Sequence, residues 1–127
     1  MKSLKNKNVI VTGASGGIGN CIVEKLNEFE ANILVSGTRI EKLEALKKKF
    51  PNIKLLRFDI SQSEKIEEFI DKASNELGGL DCIVNNAGIT NDNLAIRMSL
   101  EEWKKVIDIN LTSTFLMSKY AIKKMLK

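Results

Sequence analysis

The stretch Thr12-Gly13-Ala14-Ser15-Gly16-Gly17-Ile18-Gly19 decides the fold through what lies on either side of it. Val9-Ile10-Val11 before it reads as a strand, and Cys21 to Phe29 after it reads as a helix. A glycine-rich turn between a strand and a helix is where a protein can cradle a pyrophosphate. Glycine lets backbone approach a ligand closely, and the free N–H groups and positive dipole end of the helix attract phosphate. The spacing is Gly-x-x-x-Gly-x-Gly, which departs from the common Gly-x-Gly-x-x-Gly fingerprint of dinucleotide sites. On this loop alone a second reading stands: the glycines serve only tight strand–helix packing.

A second motif, Asn85-Asn86-Ala87-Gly88, follows another apolar run, Cys82-Ile83-Val84. With Thr12-Gly13 to Gly19, it makes the chain resemble the short-chain dehydrogenase/reductase family along nearly its whole length. Gly88-Ile89-Thr90-Asn91-Asp92-Asn93-Leu94, Arg97-Met98 and Trp103 to Leu111 are most similar to bacterial family members that act on 3-oxoacyl groups carried by acyl carrier protein. The resemblance implies NADPH-dependent reduction of such a 3-oxoacyl group to the 3-hydroxyacyl form in fatty acid synthesis. A non-catalytic NADP(H)-binding or relic fragment of a reductase for another carbonyl substrate is the competing reading.

Short apolar runs alternate with helical periods along the chain. Strands are expected at Val9–Thr12, Asn32–Ser36, Lys54–Phe58 and Asp81–Asn85. Ile18, Ile22, Leu26 and Phe29 recur at helical spacing and give one helix face. Leu43, Leu46 and Phe50 mark a second helix stopped by Pro51, and Ile66, Phe69, Ile70, Ala73 and Leu77 a third, ended by Gly78-Gly79. Ser99 to Lys127 reads as mostly one long helix, with Ser99 and Glu102 as a capping box. This alternation predicts an α/β fold, a Rossmann-type doubly wound parallel sheet in one domain over 1–127. The expected strand order is 3-2-1-4, ending after the fourth strand and its helix. Ligands bind beyond the carboxyl ends of strands at such a switch point.

The chain of 127 residues is long enough for one core, and 43% apolar with 28% charged residues suits a globular protein. Its net charge is +4, yet acids and bases interleave, and no aromatic residues alternate with the lysines to stack bases, so nucleic acid is not an expected partner. The start, Met1 to Lys5, is too polar for a signal peptide, and no apolar run spans a bilayer; the cytoplasm is the expected location. Cys21 and Cys82 fall in apolar stretches without metal-ligand spacing and are expected to be buried free thiols. With no histidine, neither a histidine-based triad nor a histidine-ligated metal arises, and no metal site is expected.

Gly13, Gly17 and Gly19 are the candidate pyrophosphate turn, with Ser15 a hydroxyl donor and Ile18 beside it. After the second strand come Gly37-Thr38-Arg39, where NAD-binding proteins place an acid on the ribose hydroxyls. No acid stands there, and Arg39 lies 20 residues beyond Gly19, where a cation can pair with a 2′-phosphate. NADP(H) is therefore favoured over NAD(H), the alternative being that Arg39 is a solvated helix-start residue. The resemblance implies that Asp59 accepts a bond from the adenine amino group with Ile60 alongside; Asp59 can equally be a turn residue. Asn86, Ala87 and Gly88 are assigned to the ribose and nicotinamide path. Asn110 in Ile107-Asp108-Ile109-Asn110-Leu111 matches the asparagine that, in the family, interrupts the helix and holds a water in the catalytic proton relay.

The family's chemistry also needs a serine, a tyrosine and a lysine, which lie on a later strand and helix not found in this sequence. Tyr120-Ala121-Ile122-Lys123-Lys124 satisfies Tyr-x-x-x-Lys literally, but ten residues after Asn110 it reads as a helix-surface pair. The chain therefore resembles the N-terminal half of a reductase and is expected to be inactive alone. A second chain carrying the other half is a candidate partner. Strand 4 is expected to be a sheet edge. The 99–127 helix has apolar residues on several faces, which predicts a homo-oligomer through it. Lys119, Lys123, Lys124 and Lys127 suit either an acidic carrier protein or the helix dipole.

Overall fold

Val9, Ile10 and Val11 are all buried, as are Ile33, Leu34 and Val35. Successive strand side chains point to opposite faces, so runs like these need a sheet covered on both sides. The computed structural model describes residues 3–88 and 95–126 and has that architecture. Strand β1 (Asn8–Val11) pairs in parallel with β2 (Asn32–Gly37) and β4 (Cys82–Val84), and β3 (Lys54–Arg57) pairs with β2. The order is β3-β2-β1-β4, as the alternating pattern predicts. Val9 stands opposite Ile33 and Cys82, and Val11 opposite Val35 and Val84.

Helices α1 (Gly17–Glu28) and α2 (Ile40–Lys49) contribute Val23, Leu43 and Leu46 to one core, with Val9, Val11, Ile33 and Val35. On the other face, α3 (Ile66–Leu77) lays Ile66, Phe69, Ile70 and Ala73 against Ile10 and Leu34. Gly78 ends α3 with φ +82°, a left-handed conformation that costs a Cβ-bearing residue strain. Met117 and Ala121 of α5 (Ser113–Met125) complete that second core.

Ile18, in the first turn of α1, is 72% exposed. Two sequence expectations need correction. Cys21 and Cys82 are free but exposed. Cys21 neighbours the buried Val23 on a helix only half covered by sheet, and Cys82 opens an edge strand. The expected long helix begins at Ser99, whose Oγ accepts from the Glu102 N–H at 3.1 Å. It is not uniform: α4 (Leu100–Ile107) passes through a π-helical turn (Asp108–Thr112) into α5. There the Ser113 and Thr114 hydroxyls both donate to the Asn110 carbonyl, at 3.3 and 2.8 Å. Such side-chain bonds offer backbone an alternative to regular helix.

β4 is an edge among the described residues, and β3, flanked by exposed Lys54 and Arg57, is the other. Trp103, Ile107, Leu111 and Phe115 are 56%, 39%, 65% and 63% exposed. No helix of the described residues is long and apolar enough to cross a membrane.

Stability should follow this division between central and peripheral positions. Ile10→Ala is expected to cost about 2–5 kcal/mol by urea denaturation. Leu126→Ala, at a site 82% exposed, should stay within about 0.5 kcal/mol of the parent.

Candidate functional site

The strands' carboxyl ends all open on one side, where a cleft of about 410 Å³ lies between the β1–α1 turn, the β2–α2 turn, the end of β3 and the end of β4. It is lined by residues from each: Gly13 and Ser15–Ile18, Ser36–Arg39, Phe58–Ile60, and Asn86–Gly88. Ten of the eleven residues assigned to cofactor binding from sequence lie on its wall; Gly19 stands behind it.

The floor of the cleft is a seam between β1 and β4. Thr12, only 2% exposed, accepts at Oγ1 from the N–H groups of Asn86 and Ala87, both at 3.1 Å, and its hydroxyl reaches the Val84 carbonyl at 3.2 Å. The Asn86 side-chain amide donates to the Gly13 carbonyl at 3.0 Å. The two segments touch so closely that a Cβ on Gly13 would lie 2.7 Å from Ala87 backbone, and Gly13 has φ +64°. A Cβ on Gly19 would lie 2.6 Å from Ala14 backbone. Gly17 differs: a Cβ there meets nothing within 4 Å, because it faces the open cleft. Gly13 and Gly19 thus serve packing, while Gly17 leaves room for a ligand.

The first turn of α1 carries no acid, and Gly16 supplies no side-chain cap. Its N–H groups and positive dipole end therefore face the cleft uncompensated by either device. Ser15 packs on the β2–α2 turn, its Oγ 2.9 Å from where a Gly37 Cβ would stand. Arg39 is exposed on the cleft wall as the residue before α2. Asp59 Oδ1 accepts from the Ser61 N–H at 2.9 Å, a turn geometry, while the residue still lines the cleft. The backbone and side-chain hydrogen bonds from Ser61, with the nearby Arg57 charge, outweigh desolvation and hold its carboxyl below the usual value. Ile60 is half-buried between the cleft and the second core. Asn110, on the π-helical turn, stands against the cleft residue Gly88: a Cβ on Gly88 would lie 3.2 Å from its Oδ1.

The model of short chain dehydrogenases matches residues 7–127. The chain belongs to the short-chain dehydrogenase family. It is 42% identical over 128 residues to the 3-oxoacyl-[acyl-carrier-protein] reductase FabG of Rickettsia conorii, covering 100% of this chain and 52% of that protein. It is 41% identical over 116 residues to Nodulation protein G of Rhizobium sp., covering 91% and 47%. A solved short-chain type dehydrogenase/reductase from Mycobacterium marinum superposes with TM-score 0.91 at 30% identity, covering 98% of this chain and 52% of that one. The chain spans about half the length of the curated relatives it matches.

Tyr120 lies away from the cleft. It is half-buried against the second core beside α3, where Lys123 and Lys124 pair with Glu67 and Asp71 at 3.7 and 2.7 Å. Two of the basic residues considered for a carrier protein are thus engaged within the chain. The rest of the Gly88–Met98 loop includes residues 89–94, outside the described residues, as is Lys127. Among the described residues no group of acidic or thiol side chains could hold a metal.

Sequence reasoning gave no role to Thr12, Thr38 or Phe58. The signal for Thr12 was a hydroxyl at the end of a wholly apolar strand, where only a backbone bond would keep it buried.

Two outcomes follow from this geometry. Thr12→Val should cost about 1–3 kcal/mol because it strands the Ala87 N–H, whereas Thr12→Ser should retain most of the stability; denaturant melts compare them. The Asp59 carboxyl has a folded pKa below its unfolded one, so its stabilisation is present above the unfolded value and lost as pH falls through the folded one. The stability gap between the parent and Asp59→Asn should therefore shrink on acidification below the ordinary carboxylate range, as pH-dependent urea midpoints would register.

Proposed function

We propose that this chain is the nucleotide-binding part of an NADPH-dependent 3-oxoacyl-[acyl-carrier-protein] reductase. The observation that carries the reading is Gly17: in a turn where Gly13 and Gly19 are wedged against backbone, it alone leaves open space, beside an uncapped helix N-terminus. A pyrophosphate fits that combination of backbone N–H groups and room. Asp59 and Ile60 would take the adenine end, and Asn86 to Gly88 the ribose and nicotinamide end. Arg39, with no acid in Gly37-Thr38-Arg39, favours the 2′-phosphate of NADP(H) over NAD(H).

The bound nicotinamide would supply the hydride. This chain's residues bind and orient it, and Asn110 beside Gly88 would hold a water of the proton relay. The sequence holds one tyrosine, and Tyr120 faces α3 rather than the cleft, so the proton donor must come from outside this sequence. The chain alone is therefore proposed to be inactive. A non-catalytic NADP(H)-binding fragment is the second reading, supported by the same position of Tyr120. The apolar face of α4 and α5 would join two copies, in the cytoplasm.

Fluorescence titration with NADPH, with 3-oxoacyl substrate then added and nicotinamide absorbance followed, tests this. Binding without turnover is expected. Gly17→Ala should fold like the parent but bind NADPH more weakly. Arg39→Ala should lose about tenfold in NADPH affinity, the scale of a charge-assisted hydrogen bond, with NADH changed little. Turnover by the chain alone, or no NADPH binding, would contradict the proposal.

A further inference from the structure

The β2–α2 turn that carries Arg39 has no side chain of its own to hold it. Arg39 is the residue before α2, and no side chain caps the helix there. Gly37 is pinned through backbone: its carbonyl accepts from the Phe58 N–H at 3.0 Å, and Gly37 stands in register with Arg57. The next carbonyl, that of Thr38, points out of the sheet. It is taken by the Arg57 side chain, whose Nε–H donates to it at 2.9 Å. Arg57 is exposed and is not among the residues lining the cleft.

Three features make this bond more than a surface contact. It is the last restraint on the turn before Arg39. It comes from a planar group that, bonded through Nε, keeps its remaining donors and its full positive charge. That charge stands close enough to the cleft to lower the Asp59 carboxyl there.

We propose that Arg57 is a positioning residue for cofactor choice: by holding the Thr38 carbonyl it fixes the turn from which Arg39 meets the 2′-phosphate. This rests on the NADP(H) reading above. Arg57 acts through Arg39, so its contribution depends on Arg39 being present.

The test measures NADPH and NADH dissociation constants, with melting temperatures, for the parent chain and for Arg39→Ala, Arg57→Met, Arg57→Lys and the Arg39→Ala/Arg57→Met double variant. Arg57→Met is expected to weaken NADPH about three- to tenfold, as loss of one hydrogen bond would, and NADH less than about twofold. Arg57→Lys keeps the charge without the planar group, and should lose part of the preference; it carries the test if the Met variant does not fold. In the double variant, Arg57→Met should add little beyond Arg39→Ala, since the two act as one unit. An unchanged NADPH-to-NADH ratio, equal weakening of both, or full additivity with Arg39→Ala would overturn the role of Arg57 and leave the NADP(H) reading standing. A parent chain that binds NADPH no tighter than NADH, or an Arg39→Ala variant with an unchanged ratio, would overturn both.

Discussion

The close approach of two chain segments, Thr12-Gly13 and Asn86-Ala87, is the constraint on which the rest of the site depends. Both leave neighbouring parallel strands at the same end, and β1 must release its chain toward α1 while β4 runs on past it. Backbone can come that near only without a side chain at Gly13, where a Cβ would lie 2.7 Å from Ala87. Beyond β4 the backbone N–H groups no longer pair with a neighbouring strand, and that of Asn86 turns back to the Val84 carbonyl. The Thr12 hydroxyl, buried and accepting from two of them, supplies a partner. The Asn86 amide closes the seam from the opposite side through the Gly13 carbonyl. A cleft floor results that needs no ligand to hold its shape.

The walls follow from sheet order. With β1 in the centre, α1 and α2 cover one face, and α3 and α5 the other, so the chain diverges at the β1–β4 junction and leaves a gap at the strand ends. The central runs Val9–Val11 and Ile33–Val35 are apolar because both faces are covered, whereas β3 and β4 each keep exposed residues. β4 has an open edge among the described residues, and Trp103, Ile107, Leu111 and Phe115 are exposed. An apolar face of that extent suits contact with more protein rather than water.

Much of this was legible in the sequence because it rests on local patterns. Unbroken apolar runs marked β1 and β2, the stripe from Ile66 to Leu77 marked α3, and Gly78-Gly79 marked its end. The glycine turn and Asn85-Asn86-Ala87-Gly88 pointed to the cleft because their geometry is local too. What escaped was set by contacts between distant segments. Cys21 and Cys82 lie in apolar company along the chain, yet exposure depends on which face and which edge the neighbours leave open. Thr12 and Arg57 act on carbonyls and N–H groups far along the chain, at Val84, Ala87 and Thr38. The π-helical turn at Asn110 depends on hydroxyls one turn further on, at Ser113 and Thr114, competing for its carbonyl.

Amide hydrogen exchange of the chain with and without NADPH is the most direct measurement of whether this cleft holds a dinucleotide. Slowed exchange confined to residues 13–19, 37–39 and 86–88 is the predicted result, since those backbone segments form its walls. No slowing there, or slowing only along α4 and α5, would contradict the assignment of this cleft to the cofactor.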